Sequence, residues 1–97
     1  VPSINGIINN TQERADEAEI EVIEEAARTA FTVEGGIFDG SQFTAIPANF
    51  SEGKKTGDKV TTITITVQTL IDEDYLDNDV PAGTVTYVGD ELLYSAS

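Results

Sequence analysis

The densest group of potential metal ligands in the chain is acidic and lies in its second half. Five carboxylates fall within eight residues: Asp72, Glu73, Asp74, Asp77 and Asp79. Hard cations such as Ca²⁺ bind clustered carboxylate oxygens. The spacing does not match an EF-hand loop, because no glycine stands at the sharp turn and no glutamate at the twelfth position. Two interpretations stay open: a weak calcium site, or a solvated acidic turn.

The residue types that most enzymes need are scarce in this chain. There is no His and no Cys, which removes the commonest general base and the thiolate nucleophile. The glycines Gly35, Gly36 and Gly40 follow a predicted helix instead of preceding one, which is the wrong order for a phosphate-binding turn. We therefore expect no catalytic residues, no cofactor and no structural metal.

The charge balance restricts the possible partners. Eighteen Asp and Glu against five Lys and Arg give a net charge of −13. Nucleic-acid binding needs clustered cations, so we expect no direct nucleic-acid contact, and an anionic membrane surface is equally unfavourable. The three lysines, Lys54, Lys55 and Lys59, form one cluster. This cluster is either a solvated turn or a contact for an acidic patch on a neighbouring copy.

The first third of this single-domain chain has the pattern of one long helix, over residues 4–31. Its less polar residues recur at the spacing of one helix face. These are Ile4, Ile8, Thr11, Ala15, Ala18, Val22, Ala26 and Thr29, with a flanking stripe of Ile7, Ile23, Ala27, Ala30 and Phe31. Such a helix is roughly 40 Å long. We expect its first isoleucines to extend beyond the domain and to require a partner.

The predicted helix is also strongly acidic. Glu13, Glu17, Glu21 and Glu25 form like-charge pairs at i,i+4, and Glu24 with Arg28 forms a favourable pair. Two interpretations stay open: a solvated acidic face, or a face adapted to high salt or to a basic partner.

The rest of the chain is predicted to contain a loop and a small sheet. Glycines punctuate residues 32–59, which read as a loop with one short strand at 42–46. Residues 60–67 favour a strand, 67–75 a helical turn, and 84–88 with 91–94 a hairpin around Gly89-Asp90. The predicted fold class is α+β: a long N-terminal helix (1–31), a connecting loop (32–59), and an antiparallel sheet of three or four strands (60–97).

Two segments of the chain resemble type IV pilins. Val1-Pro2, followed by the run Arg14-Ala15-Asp16-Glu17-Ala18, is similar to the second half of the pilin N-terminal helix. Leu70-Ile71, Asp74-Tyr75-Leu76 and Pro81 are similar to a pilin and pseudopilin segment that leads into the last strands. The absence of Cys departs from the disulfide-stapled pilins of Gram-negative bacteria and favours a Cys-free type.

The resemblance implies a filament subunit with a pilin-like fold, in which an apolar segment before Val1 has been removed. It assigns two residue groups. Filament assembly would use Pro2, Ile4, Ile7, Ile8 and Thr11, and the helix-sheet core would use Ala15, Ala18, Val22, Ala26 and Phe31.

The function implied is a structural subunit, a major or minor pilin, of an extracellular filament for surface adhesion or motility. Its partners would be further copies in a helical filament, and it would contact a membrane, before assembly, only through the removed segment. Two alternatives remain: a pseudopilin of a type II secretion or DNA-uptake machine, and a small acidic calcium-binding interaction module.

Overall fold

A computed structural model describes residues 16–96 of the chain. The first element is helix α1, Glu17–Val33, and its start is fixed by a capping box. The Asp16 carboxylate accepts a 2.8 Å hydrogen bond from the Glu19 backbone N–H, and the Glu19 carboxylate accepts one of 3.1 Å from the Asp16 N–H. These reciprocal bonds satisfy donors that the first helical turn leaves free.

The end of α1 is a Schellman motif built on the two adjacent glycines. Gly35 has a φ of +88°, a conformation that costs glycine little. The Gly36 N–H donates to the Phe31 carbonyl over 2.7 Å, and the Gly35 N–H donates to the Thr32 carbonyl over 3.2 Å. These bonds satisfy the last carbonyls of the helix, so the helix ends where the glycines predicted.

The prediction of one continuous helix over residues 4–31 is wrong. Asp16 has an extended backbone, with φ −79° and ψ 176°, so it interrupts any helix that would join α1 to the preceding residues. The helix has 17 residues, which corresponds to roughly 25 Å instead of 40 Å. The part of the prediction that covers residues 4–15 lies outside the described residues.

Eight short strands and a second helix follow α1. They are β1 (Ile37–Phe38), β2 (Phe43–Ala45), β3 (Ser51–Glu52), β4 (Lys55–Thr56), β5 (Lys59–Val60), β6 (Thr62–Thr66), α2 (Val67–Asp72), β7 (Gly83–Val88) and β8 (Glu91–Ala96). All strand pairs are antiparallel: β3-β6-β7-β8 form one four-stranded sheet, and β1-β2 and β4-β5 form two-stranded sheets.

The predicted fold class, a long helix on one small sheet, is therefore wrong. Strands account for 35% and helices for 28% of the structure, and the strands are distributed over several sheets. The difference arises mainly in residues 32–60, because the predicted loop has four short strands, β1, β3, β4 and β5, in addition to the predicted strand at 42–46, which is confirmed as β2. One two-residue turn folds part of this segment back on itself: Gly57 has a φ of +64° in the turn between β4 and β5, which is typical of tight hairpins.

The predicted C-terminal hairpin is confirmed. Val88 pairs with Glu91 around the turn Gly89-Asp90, and the pairing continues to Gly83 and Ala96. Gly89 has a φ of +64°, as a two-residue hairpin turn requires. This hairpin places β8 at one edge of the central sheet, while β3 forms the opposite edge.

The core lies between α1 and the inner face of the central sheet. The α1 residues that are buried there are Ile23, Ala26, Ala27, Ala30 and Phe31. Three of these are alanines, which let the helix backbone approach the strands closely. The sheet contributes Ile63, Ile65, Val85, Tyr87 and Leu92.

Phe31 is the centre of an aromatic cluster that joins the helix to the rest of the core. Its ring centroid lies 4.7 Å from that of Tyr87 and 5.8 Å from those of Phe43 and Phe50. Gly36 lies against this ring, and a Cβ at that position would collide with it. The cluster therefore positions α1, the residue 32–59 segment and the central sheet relative to one another.

Candidate assembly surface

The residues of α1 that are buried differ in part from those predicted to be buried. Of the five residues expected in the helix-sheet core, Ala26 and Phe31 are buried, each with 8% of its surface exposed. Ala18 is exposed, Val22 is 55% exposed, and Ala15 lies outside the described residues. The placement of Ala18 and Val22 in the core is therefore wrong.

The physical reason is the side-chain volume on the competing stripe. The buried stripe contains Ile23 and Phe31, which bury more apolar surface than Ala18, Val22 and Thr29 would. Adjacent residues are about 100° apart around the helix axis, and Val22 lies on the far side of Ile23 from Ala27 and Phe31, so it remains largely exposed. Ala18, Val22 and Thr29 of the predicted stripe thus lie on the outward side of the helix, while Ala26 stays in the core.

This outward side is an open groove along α1, which we call the outer α1 face. It is lined by the exposed residues Ala18, Glu21, Val22, Glu25, Arg28 and Thr29. Its floor is weakly apolar and its borders are charged. Val22 keeps 55% of its surface exposed, so the least polar part of this face can contact another molecule.

The charges on α1 interact with solvent and with the sheet edge more than with one another. No Glu24–Arg28 or Glu25–Arg28 ion pair within 4.0 Å is present among the described residues, so the predicted pair does not form. Instead, the Glu24 carboxylate accepts a 3.3 Å hydrogen bond from the backbone N–H of Tyr94 in β8. A carboxylate at this position covers part of an exposed strand edge, which would otherwise be free to pair with another strand.

Glu34, just after α1, joins three segments of the chain. Its carboxylate accepts hydrogen bonds from the Asn49 side-chain amide, at 3.0 and 3.2 Å, and from the Tyr75 hydroxyl, at 3.0 Å. The hydrogen bond to Glu34, followed by burial and the Glu34 charge, raises the pKa of Tyr75 above its ordinary value of 10.0. No sequence pattern indicates this group, because its members are far apart in the chain and form no local motif.

The three lysines lie on one hairpin, β4–β5 with the preceding residue Lys54, which we call the lysine hairpin. All three are exposed. Lys55 forms an exposed 3.4 Å ion pair with Glu52, and no other ion pair within 4.0 Å occurs among residues 16–96. The two-residue turn Gly57-Asp58 was a signal that could have predicted this hairpin.

The acidic cluster does not form a ligand cage. Among residues 16–96, no group of three or more potential metal-ligating side chains is brought together. Asp72 accepts a 2.8 Å hydrogen bond from the Gln68 side-chain amide, while Asp72, Glu73, Asp74, Asp77 and Asp79 are all exposed. The geometry therefore does not favour a calcium site in this segment.

The resolved pKa shifts within the described residues all move away from neutral pH. Hydrogen bonds from the Ser41 and Gln42 backbone N–H groups, each 2.8 Å, lower the pKa of Asp39. Burial raises the pKa of Tyr87 and of Tyr94. A general acid or base works best with a pKa near the operating pH, so these shifts do not prepare any of the groups for proton transfer at neutral pH.

The residues expected to assemble a filament, Pro2, Ile4, Ile7, Ile8 and Thr11, lie outside the described residues. No helix within residues 16–96 combines the length and the hydropathy needed to cross a bilayer. Comparisons of the chain with protein-family profiles, with curated proteins and with solved structures find no match. Proposals about function therefore depend on the chain itself.

Proposed function

We propose that the protein is a structural subunit of an extracellular filament, a type IV pilin that serves adhesion or motility and assembles through its N-terminal helical region. One observation carries this proposal: Ala18, Val22 and Thr29, three of the four positions of the less polar stripe on α1, are exposed, while the fourth, Ala26, is buried. Val22 is 55% exposed although the core lies on the opposite side of the same helix.

An outward stripe of this kind requires a physical reason. A globular protein gains free energy by burying apolar side chains, and exposed apolar positions that continue along an element are typical of contact surfaces. On α1, Ala18 and Val22 are exposed positions of this kind, one helical turn apart. A partner that covers them would bury apolar surface that the protein's own sheet leaves exposed, as neighbouring subunits do in a filament.

The side-chain inventory also supports a structural role. The chain contains no His and no Cys, and its partly buried polar group, Glu34 with Asn49 and Tyr75, joins segments of the fold. Hydrogen bonds of this kind stabilise a fold by about 1 kcal/mol each.

The proposal is tested in the organism that produces the protein. Antibodies raised against the 97-residue chain should label filaments on the cell surface by immunogold electron microscopy. Deletion of the gene should remove these filaments, and complementation should restore them. Label confined to the cell interior, with surface filaments unchanged in the deletion strain, would contradict the proposal. A deletion strain that loses secretion or DNA uptake but never forms long filaments would favour the pseudopilin alternative instead.

A further inference from the structure

The cations of the described chain are concentrated at one place. Apart from Arg28 on α1, all of them belong to the lysine hairpin. This hairpin connects β3 to β6 and therefore lies on the β3 side of the central sheet. In a protein with a net charge of −13, it is the one segment among residues 16–96 that can offer several cations to an acidic surface.

The lysine hairpin presents two of its three cations on a common face. Side chains alternate between the two faces of a strand, so Lys54 and Thr56 share a face. Thr56 pairs with Lys59 across the hairpin, which places Lys59 on that face too. Lys54 and Lys59 are then a diagonal cross-strand pair, about 7–8 Å apart. Lys55, paired with Val60, belongs to the other face, where it contacts Glu52.

The outer α1 face presents a matching pair of anions. Glu21 and Glu25 are both exposed and line the same groove as Val22. One helical turn separates them, about 6 Å along the axis. This spacing is close to that of Lys54 and Lys59, so two parallel ion pairs can form at once, beside Val22.

These two surfaces cannot meet within one molecule. The outer α1 face lies beside β8, because Leu92 of β8 lines the same groove and Glu24 binds the Tyr94 N–H. The lysine hairpin lies on the β3 side, and β3 and β8 are opposite edges of the four-stranded sheet. Three inter-strand spacings separate these edges by about 14 Å. No ion pair joins the two surfaces within residues 16–96.

We propose that the lysine hairpin of one copy docks on the outer α1 face of the next copy. Lys54 and Lys59 pair with Glu21 and Glu25 of the neighbour, and the contact covers its Val22. Because the two surfaces differ, the contact is head-to-tail, and a head-to-tail contact that does not close into a ring generates an open filament. This inference rests on the proposed filament function and specifies how adjacent globular domains contact one another.

The test uses charge reversal in the 97-residue chain. Lys54→Glu with Lys59→Glu gives the hairpin variant, and Glu21→Lys with Glu25→Lys gives the helix variant. Sedimentation velocity over a range of concentrations, at low salt, should show wild-type self-association that added salt suppresses. Each variant alone should associate at least about tenfold more weakly, because like charges then face each other. An equimolar mixture should recover the association, because each hairpin again meets a complementary helix.

Two controls separate this contact from general charge effects. Asp77→Lys with Asp79→Lys changes the net charge as much as the helix variant does but lies on the exposed acidic loop, and should leave association close to that of the wild type. Lys55→Glu alters the other face of the hairpin and should have a smaller effect than Lys59→Glu alone. Far-UV circular dichroism confirms that each variant is folded.

The proposal is overturned if the mixture stays monomeric, if the hairpin variant associates like the wild type, or if the wild type is monomeric even at concentrations on the order of 1 mM, the range of weak contacts. Monomeric protein together with labelled cell-surface filaments would remove the docking contact and leave the filament function standing. Recovery of association in the mixture, without any filaments on cells, would support the contact and refute the filament function.

Discussion

The two sides of helix α1 lie in different environments: one is buried against the sheet and the other is exposed to solvent. The inner side is small and apolar, and it is buried against the sheet through Ile23, Ala27 and Ala30. The outer side carries the exposed residues Glu21, Val22 and Glu25, and it borders a groove that Tyr75 and Leu92 also line. Apolar spacing on a helix therefore does not by itself identify the core. The inner side stabilises the fold, while the outer side is available for assembly.

Truncation on the inner side should have the largest effect on stability. Phe31→Ala removes a buried ring that contacts Phe43, Phe50 and Tyr87, and we expect a loss of about 3–5 kcal/mol in the free energy of unfolding. The matched change on the outer side, Val22→Ala, should cost less than about 0.5 kcal/mol. Urea unfolding followed by circular dichroism measures both. Similar losses for the two variants would contradict the assignment of sides.

Loss of the Glu34 carboxylate should have an intermediate effect. Glu34→Ala leaves Asn49 and Tyr75 without their acceptor, and we expect a cost of about 1–3 kcal/mol. Tyr75→Phe removes a single hydrogen bond and should cost less than Glu34→Ala. The double variant should cost less than the sum of the two, because both changes delete the same contact. Full additivity in denaturant unfolding would show that the Glu34–Tyr75 bond does not stabilise the end of α1.

The same hydrogen bond predicts a loss of stability in alkaline solution. The pKa of Tyr75 is raised in the folded protein above its ordinary value of 10.0, so its contribution is fully present below pH 10. It is lost as the pH rises through the folded-state value, because the unfolded chain then releases the proton more readily. Thermal melts between pH 8 and about pH 11 should show a smaller alkaline decrease for Tyr75→Phe than for the wild type. Identical curves would refute this contribution.

The smallest effect on the free energy of unfolding is expected on the outer side of α1, where a substitution should stabilise the protein. Glu21→Gln removes repulsion from Glu17 and Glu25, one turn away on each side. We expect a gain of about 0.2–0.5 kcal/mol per relieved pair at low ionic strength, decreasing as salt is added. Denaturant unfolding at two salt concentrations measures the gain. A salt-independent loss of stability would mean that Glu21 makes a stabilising contact within its own molecule.

Local sequence patterns predicted the turns and helix ends that depend on the backbone preferences of one or two residues. Gly35 and Gly36 predicted the end of α1, and Gly89-Asp90 predicted the β7–β8 turn, because positive φ angles are a property of the residue itself. Asp16 and Glu19 also had the spacing of a capping box. This spacing indicates a helix start at Glu17, whereas the longer apolar pattern predicted a start at residue 4.

The features that the sequence did not predict depend on contacts between distant segments. The choice between Val22 and Ile23 as the buried residue is decided by packing on the sheet and on Phe31. The two-residue strand β3 exists only through its pairing with β6. Glu34 and Tyr75 are 41 residues apart. The candidate surfaces were predicted only in part. The lysine cluster and the acidic helix are evident in the sequence, but their positions on opposite sides of the sheet follow only from the strand order.

The central claim, that the outer α1 face is an assembly surface, is tested most directly by comparing two exposed apolar residues in the producing organism. Val22 is 55% exposed on that face, and Leu93 is 52% exposed on β8 of the sheet. We expect Val22→Asp, expressed in the deletion strain, to abolish or shorten surface filaments in electron micrographs, while Leu93→Asp leaves them intact and both purified chains remain folded. Normal filaments with Val22→Asp, or equal loss with both variants, would contradict the account.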